Sequence, residues 1–237
     1  REKHNFQIAE NIRRIDQLYP LIEEKFQFSE TDIDKYLKES TFLSDNGLTT
    51  ETLPSLFIPN TYEFYSNSTV EEFFKKIQEF NNDFWNNQRL RKKDSLGFSI
   101  IEISILASIV EEEQKRKDIE DRRRIAGVYI NRLNNSRDYP YLQADPTVKF
   151  ANDNFEIKQV LDKHTSIDHP YNTYKKKGLP PGPICIPSIH AIDAVLNAEN
   201  HNYTFMCAGT DGKHKFSSSN KEHNKHKNRY KKHEGFK

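Results

Sequence analysis

Two segments of the chain carry helix-start signals at their first residues. Thr69 is followed three positions on by Glu72, and Ser99 by Glu102. Each pair is a capping box, in which hydroxyl and carboxylate satisfy the free amide groups of a first helical turn. Behind the first, Phe73, Ile77, Phe80 and Phe84 fall on one helical face, and Lys92–Gly97 ends the helix. The second is predicted to run to about Lys115. A third helix is expected over about 121–133, with Ile125, Val128, Tyr129 and Leu133 on one side. These helices set a helix-rich centre, and the remaining chain must be arranged around it.

The flanks are less regular. Ile8, Ile12, Ile15, Tyr19, Ile22 and Phe26 alternate spacings of four and three, which predicts a helix to about Leu18, a bend at Pro20 and a short further turn. Ser29 with Asp32 caps a helix to about Lys38. The stretch 40–68, rich in Ser, Thr, Asn and Pro, is the best candidate boundary, with a short strand at Leu56–Pro59. Residues 134–150 read as turn and loop, and 164–187 as a long Pro/Gly-rich loop of the kind that is usually functional. Ser188 caps a helix to Leu196, Tyr203–Ala208 and Lys213–Phe216 form a hairpin, and a polar helix ends the chain. The expected architecture is α+β.

Composition excludes several classes. With 36 Lys+Arg against 35 Asp+Glu the net charge is +1, unlike a surface built for nucleic acid. Aromatics at 12% argue against disorder. No apolar run approaches the roughly 20 residues of a membrane span. Cys185 and Cys207 make no disulfide framework and lack metal-site spacing, so both read as buried free thiols. His214, His223, His226 and His233 offer no convincing ligand set, and solvated histidines are the expectation; no metal and no cofactor is called for. The basic segment 221–237 reads as a solvated helix tail, with an anionic polymer or membrane surface as the alternative contact.

The chemistry concentrates in Leu106-Ala107-Ser108-Ile109-Val110-Glu111-Glu112-Glu113, where three glutamates close an apolar helical run. The stripe through Leu106, Ile109 and Val110 converges seven, four and three residues on at Glu113. Glu112 lies off it, and Glu111 follows the small residues Ala107 and Ser108. Glu113 is therefore the glutamate expected to face the interior or a cleft. Lost hydration raises a carboxyl's pKa, and a Glu so raised can hold a proton and give it to a leaving oxygen, as in glycosidic cleavage. The alternative is a core-edge Glu paired with Arg122, Arg123 or Arg124.

At these residues the chain resembles the YceG-like endolytic murein transglycosylases. Ala107–Glu113 is similar to that family's catalytic-helix motif, and Ala126-Gly127-Val128-Tyr129-Ile130-Asn131-Arg132-Leu133 to its next helix. Leu142–Val148, Tyr171–Tyr174 and Gly178–Ile184 match its later loops in order. Phe57–Phe64 resembles a further segment, with Ile58 and Asn60 as departures, and His214-Lys215-Phe216 and Glu222-His223-Asn224 also fit. The resemblance covers about 55–230. Residues 1–50 look like a helical lobe adjoining a LysM-like region, with the catalytic domain at 51–237.

The resemblance implies a helix-rich catalytic domain with a lysozyme-like active-site helix. It also implies a lytic transglycosylase that cuts the MurNAc–GlcNAc β-1,4 bond of peptidoglycan and leaves a 1,6-anhydro-MurNAc end. By position the catalytic residue is Glu113, and the departure Gln114 follows it. Repulsion among three adjacent carboxylates would help keep one protonated. Glu111, Gln143 and Asp145 are candidate catalytic supports, Asp145 otherwise being an Asx-type turn cap and Gln143 a buried structural amide. Asn172, Tyr174, Gly178, Leu179, Pro180 and Pro181 are the candidate glycan-binding residues, or else they only order their loop. The expected setting is the outer side of the cytoplasmic membrane, beside peptidoglycan synthases, through an N-terminal anchor absent here. The competing readings are a hydrolytic muramidase and a non-catalytic cell-wall-binding module; nucleic-acid binding is set aside.

Overall fold

A computed structural model of the chain describes residues 2–9 and 12–235. In chain order the elements are β1 (Lys3–Ile8), a 3-10 turn (Ile15–Leu18), α1 (Tyr19–Lys25), α2 (Glu30–Glu39), α3 (Phe42–Asp45), a second 3-10 turn (Leu53–Leu56), β2 (Asn60–Tyr65) and α4 (Val70–Phe84). There follow α5 (Asn87–Leu96), α6 (Ile100–Glu113), α7 (Ile119–Asn134), α8 (Asp145–Ala151), α9 (Asp162–Thr165), α10 (Ile189–Leu196), β3 (Phe205–Ala208), β4 (His214–Ser217) and α11 (Asn220–His233). Helices with two small antiparallel sheets make the expected α+β fold. The chain forms two compact units, Arg1–Ser108 with Pro181–Ile192, and Ile109–Pro180 with Asp193–Lys237.

In the first unit both hydrogen bonds of the Thr69–Glu72 box are present, Glu72 N–H donating to Thr69 Oγ1 at 3.1 Å and Thr69 N–H to Glu72 Oε2 at 2.9 Å. The helix predicted to continue toward Gly97 is two helices. Asn86 accepts from the amides of Gln88 and Arg89 and starts α5 afresh, and Gly97, at φ +77°, ends it. The apolar face of α4 enters a core rich in phenylalanine. The Phe73 ring meets those of Phe6, Phe26, Phe28, Phe64 and Phe74, all within 6.0 Å between centroids.

The N-terminal stripe is not the predicted helix. Lys3–Ile8 is a strand pairing antiparallel with β2, from Lys3 opposite Tyr65 to Ile8 opposite Asn60. Residues 10 and 11 of the predicted helix lie outside the described residues. Phe6 and Ile8 point into the core beside Tyr62 and Phe64 while Asn5 and Gln7 face out, a period of two too short to outweigh the longer helical spacing. Pro20 starts α1 rather than bending it, because a first helical turn has no use for the amide that proline lacks. The strand expected at 56–59 lies just downstream, and Leu56, Phe57 and Ile58 are buried in an irregular turn.

Within the same unit Ser108 fixes the far end of the long loop. Its hydroxyl accepts from Ile184 N–H at 3.0 Å, and the Cys185 thiol lies 3.7 Å from the Ser108 carbonyl. Cys185 is buried and free as expected; Cys207 is free but only partly buried, on β3.

In the second unit α7 is the post that other segments are tied to. Gly127 sits where a Cβ would lie 2.5 Å from the Glu199 carbonyl oxygen and 2.6 Å from His201 Nε2, so the 199–201 segment packs directly on the helix backbone. Asn131 donates to the carbonyls of His201 and Tyr203, and Arg132 to those of Thr204 and Leu142, both at 2.7 Å. The hairpin forms with β3 and β4 in register from Phe205 opposite Ser217 to Ala208 opposite His214. Residues 145–151, expected as loop, are α8. Like Pro20, Pro146 lies in a first turn, where a proline starts a helix.

Candidate active site

The site is built where α6 ends. Residues Ile103 to Glu112 are buried without a break, so this helix is enclosed on every side and has no single apolar face. That overturns the ranking drawn from periodicity. Glu111 and Glu112 are 3% and 9% exposed, while Glu113 is the one that reaches solvent in part. Their partners separate the three. Glu111 faces the fully buried Arg122 at 3.9 Å, whose Nε donates to the Gln114 carbonyl at 3.0 Å. Glu112 pairs with Lys115 at 3.2 Å. Glu113 accepts a hydrogen bond from the Tyr129 hydroxyl at 2.6 Å. Arg123 and Arg124 turn to Glu120 and Glu199, which removes the expected alternative of an arginine clamp on Glu113.

Burial raises the Glu113 pKa, and the negative charge of Asp145 adds to the rise. The His214 charge, the Tyr129 hydrogen bond and Lys149 oppose it without cancelling it. Glu111 and Glu112 are not the source, so the expected mutual repulsion of three glutamates gives way to burial and Asp145.

Asp145 opens α8, and its Oδ1 accepts from the Tyr174 hydroxyl at 2.6 Å. Burial raises its pKa too, against the Tyr174 hydrogen bond and the charges of Lys149 and Lys227. Tyr129 and Tyr174 are both raised far above an ordinary phenol, by burial first and then by the carboxylate each one serves. Both are therefore neutral donors at any working pH. On the hairpin, His214 Nδ1 lies 2.9 Å from Asp121 Oδ2, and Asp121 also takes a hydrogen bond from the Gln114 side chain.

These observations meet a family comparison. Residues 1–229 match the model of the YceG-like family. The chain belongs to the YceG-like family. It is 30% identical over 232 residues to the endolytic murein transglycosylase of Bacillus subtilis, covering 92% of this chain and 62% of that protein. It is 33% identical over 202 residues to an endolytic murein transglycosylase of Streptococcus pneumoniae, covering 80% of this chain and 34% of that one. A crystal structure of a yceG-like protein from Listeria monocytogenes superposes with a TM-score of 0.73 at 27% identity, covering 93% of this chain and 75% of that one. This YceG-like chain thus spans about three fifths of the Bacillus relative and one third of the pneumococcal one.

The residues singled out from the sequence do not all meet. Glu113, Asp145 and Tyr174 come together in the second unit, linked by charge and hydrogen bond. Asn172 does not join them through its side chain. It is fully buried, its amide donates to the carbonyls of Thr165 and Ile167, and its Oδ1 accepts from Tyr174 N–H. It orders the loop instead of facing glycan. Gln143 is exposed at φ +53°, which removes the buried-amide alternative; its N–H donates to the Thr173 carbonyl at 3.1 Å. Gly178, at φ +71°, donates to the Pro140 carbonyl and bridges to Tyr141. Leu179 is partly buried, Pro180 buried and Pro181 exposed.

Sequence reasoning missed Tyr129, Asp121, His214 and Lys149 as neighbours of the carboxyls, and Thr147 and Thr173, whose hydroxyls meet at 2.8 Å and lock α8 to the loop. Tyr129 was counted as a core aromatic.

Proposed function

We propose that this YceG-like chain carries the catalytic residues of an endolytic lytic transglycosylase, with Glu113 as general acid and then general base. Glu113 protonates the leaving O4 of GlcNAc. It then takes the proton of the MurNAc 6-hydroxyl as O6 closes onto C1, leaving a 1,6-anhydro end. One group serves twice and no water enters. The observation that carries this reading is that both carboxyls of the site are pushed the same way. A two-carboxylate hydrolase needs environments that drive its pair apart, one held protonated and one held ionised. Here burial raises Glu113 and Asp145 alike, which suits a single protonated acid with a neutral or positioning neighbour. The names of the relatives support peptidoglycan as substrate.

Tyr174 and Asp145 position glycan at this edge, and the loop 178–181 frames it. The resemblance divides the chain into a lobe at 1–50 and a catalytic domain at 51–237, a division by sequence that differs from the two compact units of the fold. No helix among the described residues is long and apolar enough to cross a membrane. The resemblance to the family supports an activity on the outer face of the cytoplasmic membrane, close to peptidoglycan synthases.

The test is a digest of purified peptidoglycan with wild type and Glu113→Gln, read by mass spectrometry of the released glycans. Anhydro-ended products from wild type alone are expected. Products one water heavier would make the enzyme a hydrolase and shift attention to Asp145. Anhydro products from the variant would move the acid elsewhere.

A further inference from the structure

We propose that Asp121 and His214 are positioning residues for Glu113: Asp121 holds the His214 ring on the hairpin, and the imidazolium balances the charge that appears on Glu113 when it gives up its proton. The inference rests on the general-acid reading of Glu113. Its basis is a connected set of contacts. Asp121 is 3% exposed, yet it is a carboxylate on the first turn of α7. It is met by the backbone N–H of His214 at 3.2 Å, by His214 Nδ1 at 2.9 Å and by the Gln114 side-chain amide. Gln114 is the residue after Glu113, so one buried carboxylate ties the end of α6 to the start of β4. A buried carboxylate with these donors is ionised, and its neighbour on Nδ1 is the group that can carry the balancing proton.

The ring is thus fixed in place. The Asp121 contact orients Nδ1 and leaves Nε2 as the ring's other donor. Charge links the ring to the acid, since His214 and Glu113 act on each other's ionisation. Burial alone would lower the His214 pKa, and the hydrogen bond and charge of Asp121, with the charge of Glu113, reverse it. The other charged groups on the hairpin face elsewhere, Lys213 toward Asp118 at 3.0 Å and Lys215 toward Asp211 at 2.8 Å. Glu113 is also faced by Asp145 and Lys149 from α8, by Tyr129 and Arg132 from α7 and by Tyr174 from the loop. Of the cations among these, Arg132 donates to two backbone carbonyls and Lys149 also acts on Asp145. His214 is the one that also receives a buried carboxylate.

The role fits a group used twice. During the first proton transfer Glu113 passes from neutral to anionic, and it returns to neutral in the second. A fixed cation beside it lowers the energy of the anionic stage without donating a proton to the sugar. Removing such a partner costs about tenfold to a hundredfold in rate.

The experiment has two readouts on the full chain. First, the His214 imidazole is titrated by NMR in wild type and in Glu113→Gln. Loss of the Glu113 charge is expected to lower the His214 pKa, and an unchanged titration overturns the proposal whatever the activity. Second, the pH profile of glycan cleavage is compared for wild type, His214→Gln, Asp121→Asn and His214→Lys. His214→Gln is expected to lower kcat by about tenfold to a hundredfold with little change in KM, and to move the falling alkaline limb to higher pH. His214→Lys, which keeps the charge, is expected to restore part of kcat. Equal losses in all three variants with an unmoved limb would mean a merely structural pair and would overturn the proposal. If wild type gives no cleavage, the proposed function fails on its own, and the His214 titration still decides whether the ring and the acid are coupled.

Discussion

The raised pKa of Glu113 makes a stability prediction that needs no substrate. In the unfolded chain a glutamate titrates near 4.3, and in the folded chain Glu113 titrates higher because burial penalises its charge. Protonation therefore favours the folded state. The stability tied to Glu113 is fully present below the unfolded pKa and is lost as pH rises through the folded one. Glu113→Gln keeps the shape, and its Oε1 still accepts from Tyr129, but it never ionises. The variant should match wild type at pH 4 and exceed it at pH 8. Each pKa unit of elevation corresponds to about 1.4 kcal/mol. For a chain of 237 residues that is about 3–6 °C in melting temperature per unit. The assay is thermal unfolding of both proteins from pH 4 to pH 8, with the difference in melting temperature plotted against pH. A difference that grows with pH in favour of the variant supports a strained acid. A variant less stable at pH 8 than at pH 4, relative to wild type, would mean that the carboxylate is held ionised by a partner, and would refute the general-acid reading at its root.

Three further outcomes follow from the packing. Gly127→Ala should gain about 1 kcal/mol of helix propensity but lose about 1–3 kcal/mol in displacing the Glu199 carbonyl and His201, a net loss that urea unfolding would show; a more stable variant would contradict the close approach. Phe73→Ala should cost about 3–5 kcal/mol in the same assay, because its ring is fully buried among five others. Arg122→Met should cost about 3–5 kcal/mol by removing the cation that Glu111 faces, and adding Glu111→Gln should recover most of that loss; a double variant no better than the single would show that the arginine's worth lies in contacts other than Glu111, such as the Gln114 carbonyl.

The parts of the fold legible in the sequence are those decided by neighbours in the chain. The Thr69 and Ser99 boxes and the Ser219 cap of α11 are satisfied within four residues. The hairpin is closed locally around Gly209, whose N–H donates to the Lys213 carbonyl at 2.7 Å, and Gly212. The misread parts are decided at a distance. Phe6 and Ile8 form a strand because β2, more than fifty residues later, offers them an edge and a core. Pro20 reads as a bend in the sequence because a proline's effect depends on whether it stands in the first turn or a later one, and pattern alone does not place the turn. The site follows the same rule. Glu113 stands out in the sequence because it lies at the end of a conspicuous run, whereas His214 and Asp121, 93 positions apart, meet only in the folded chain.

The choice of partner on α6 carries a further consequence. Three consecutive glutamates share one helix end, yet each meets a different partner: an arginine for Glu111, a lysine for Glu112, a tyrosine for Glu113. An arginine or lysine favours the ionised carboxylate by charge as well as by hydrogen bond. A tyrosine whose own pKa is far above the working range brings a hydrogen bond and no charge. It fixes the carboxyl in place and favours the anion by a hydrogen bond alone, without the charge an arginine or lysine adds, and the same pairing recurs at Asp145 with Tyr174. Helix position then matters as well, because the carbonyl-rich end of α6 disfavours a negative charge at Glu113. Ionisation at this point has to be balanced from outside the helix, and the groups placed to do so are His214 on the hairpin and Lys149 on α8. Glu113 is thus distinguished from its two neighbours less by depth of burial, in which they exceed it, than by a donor that positions the carboxyl while bringing no charge of its own.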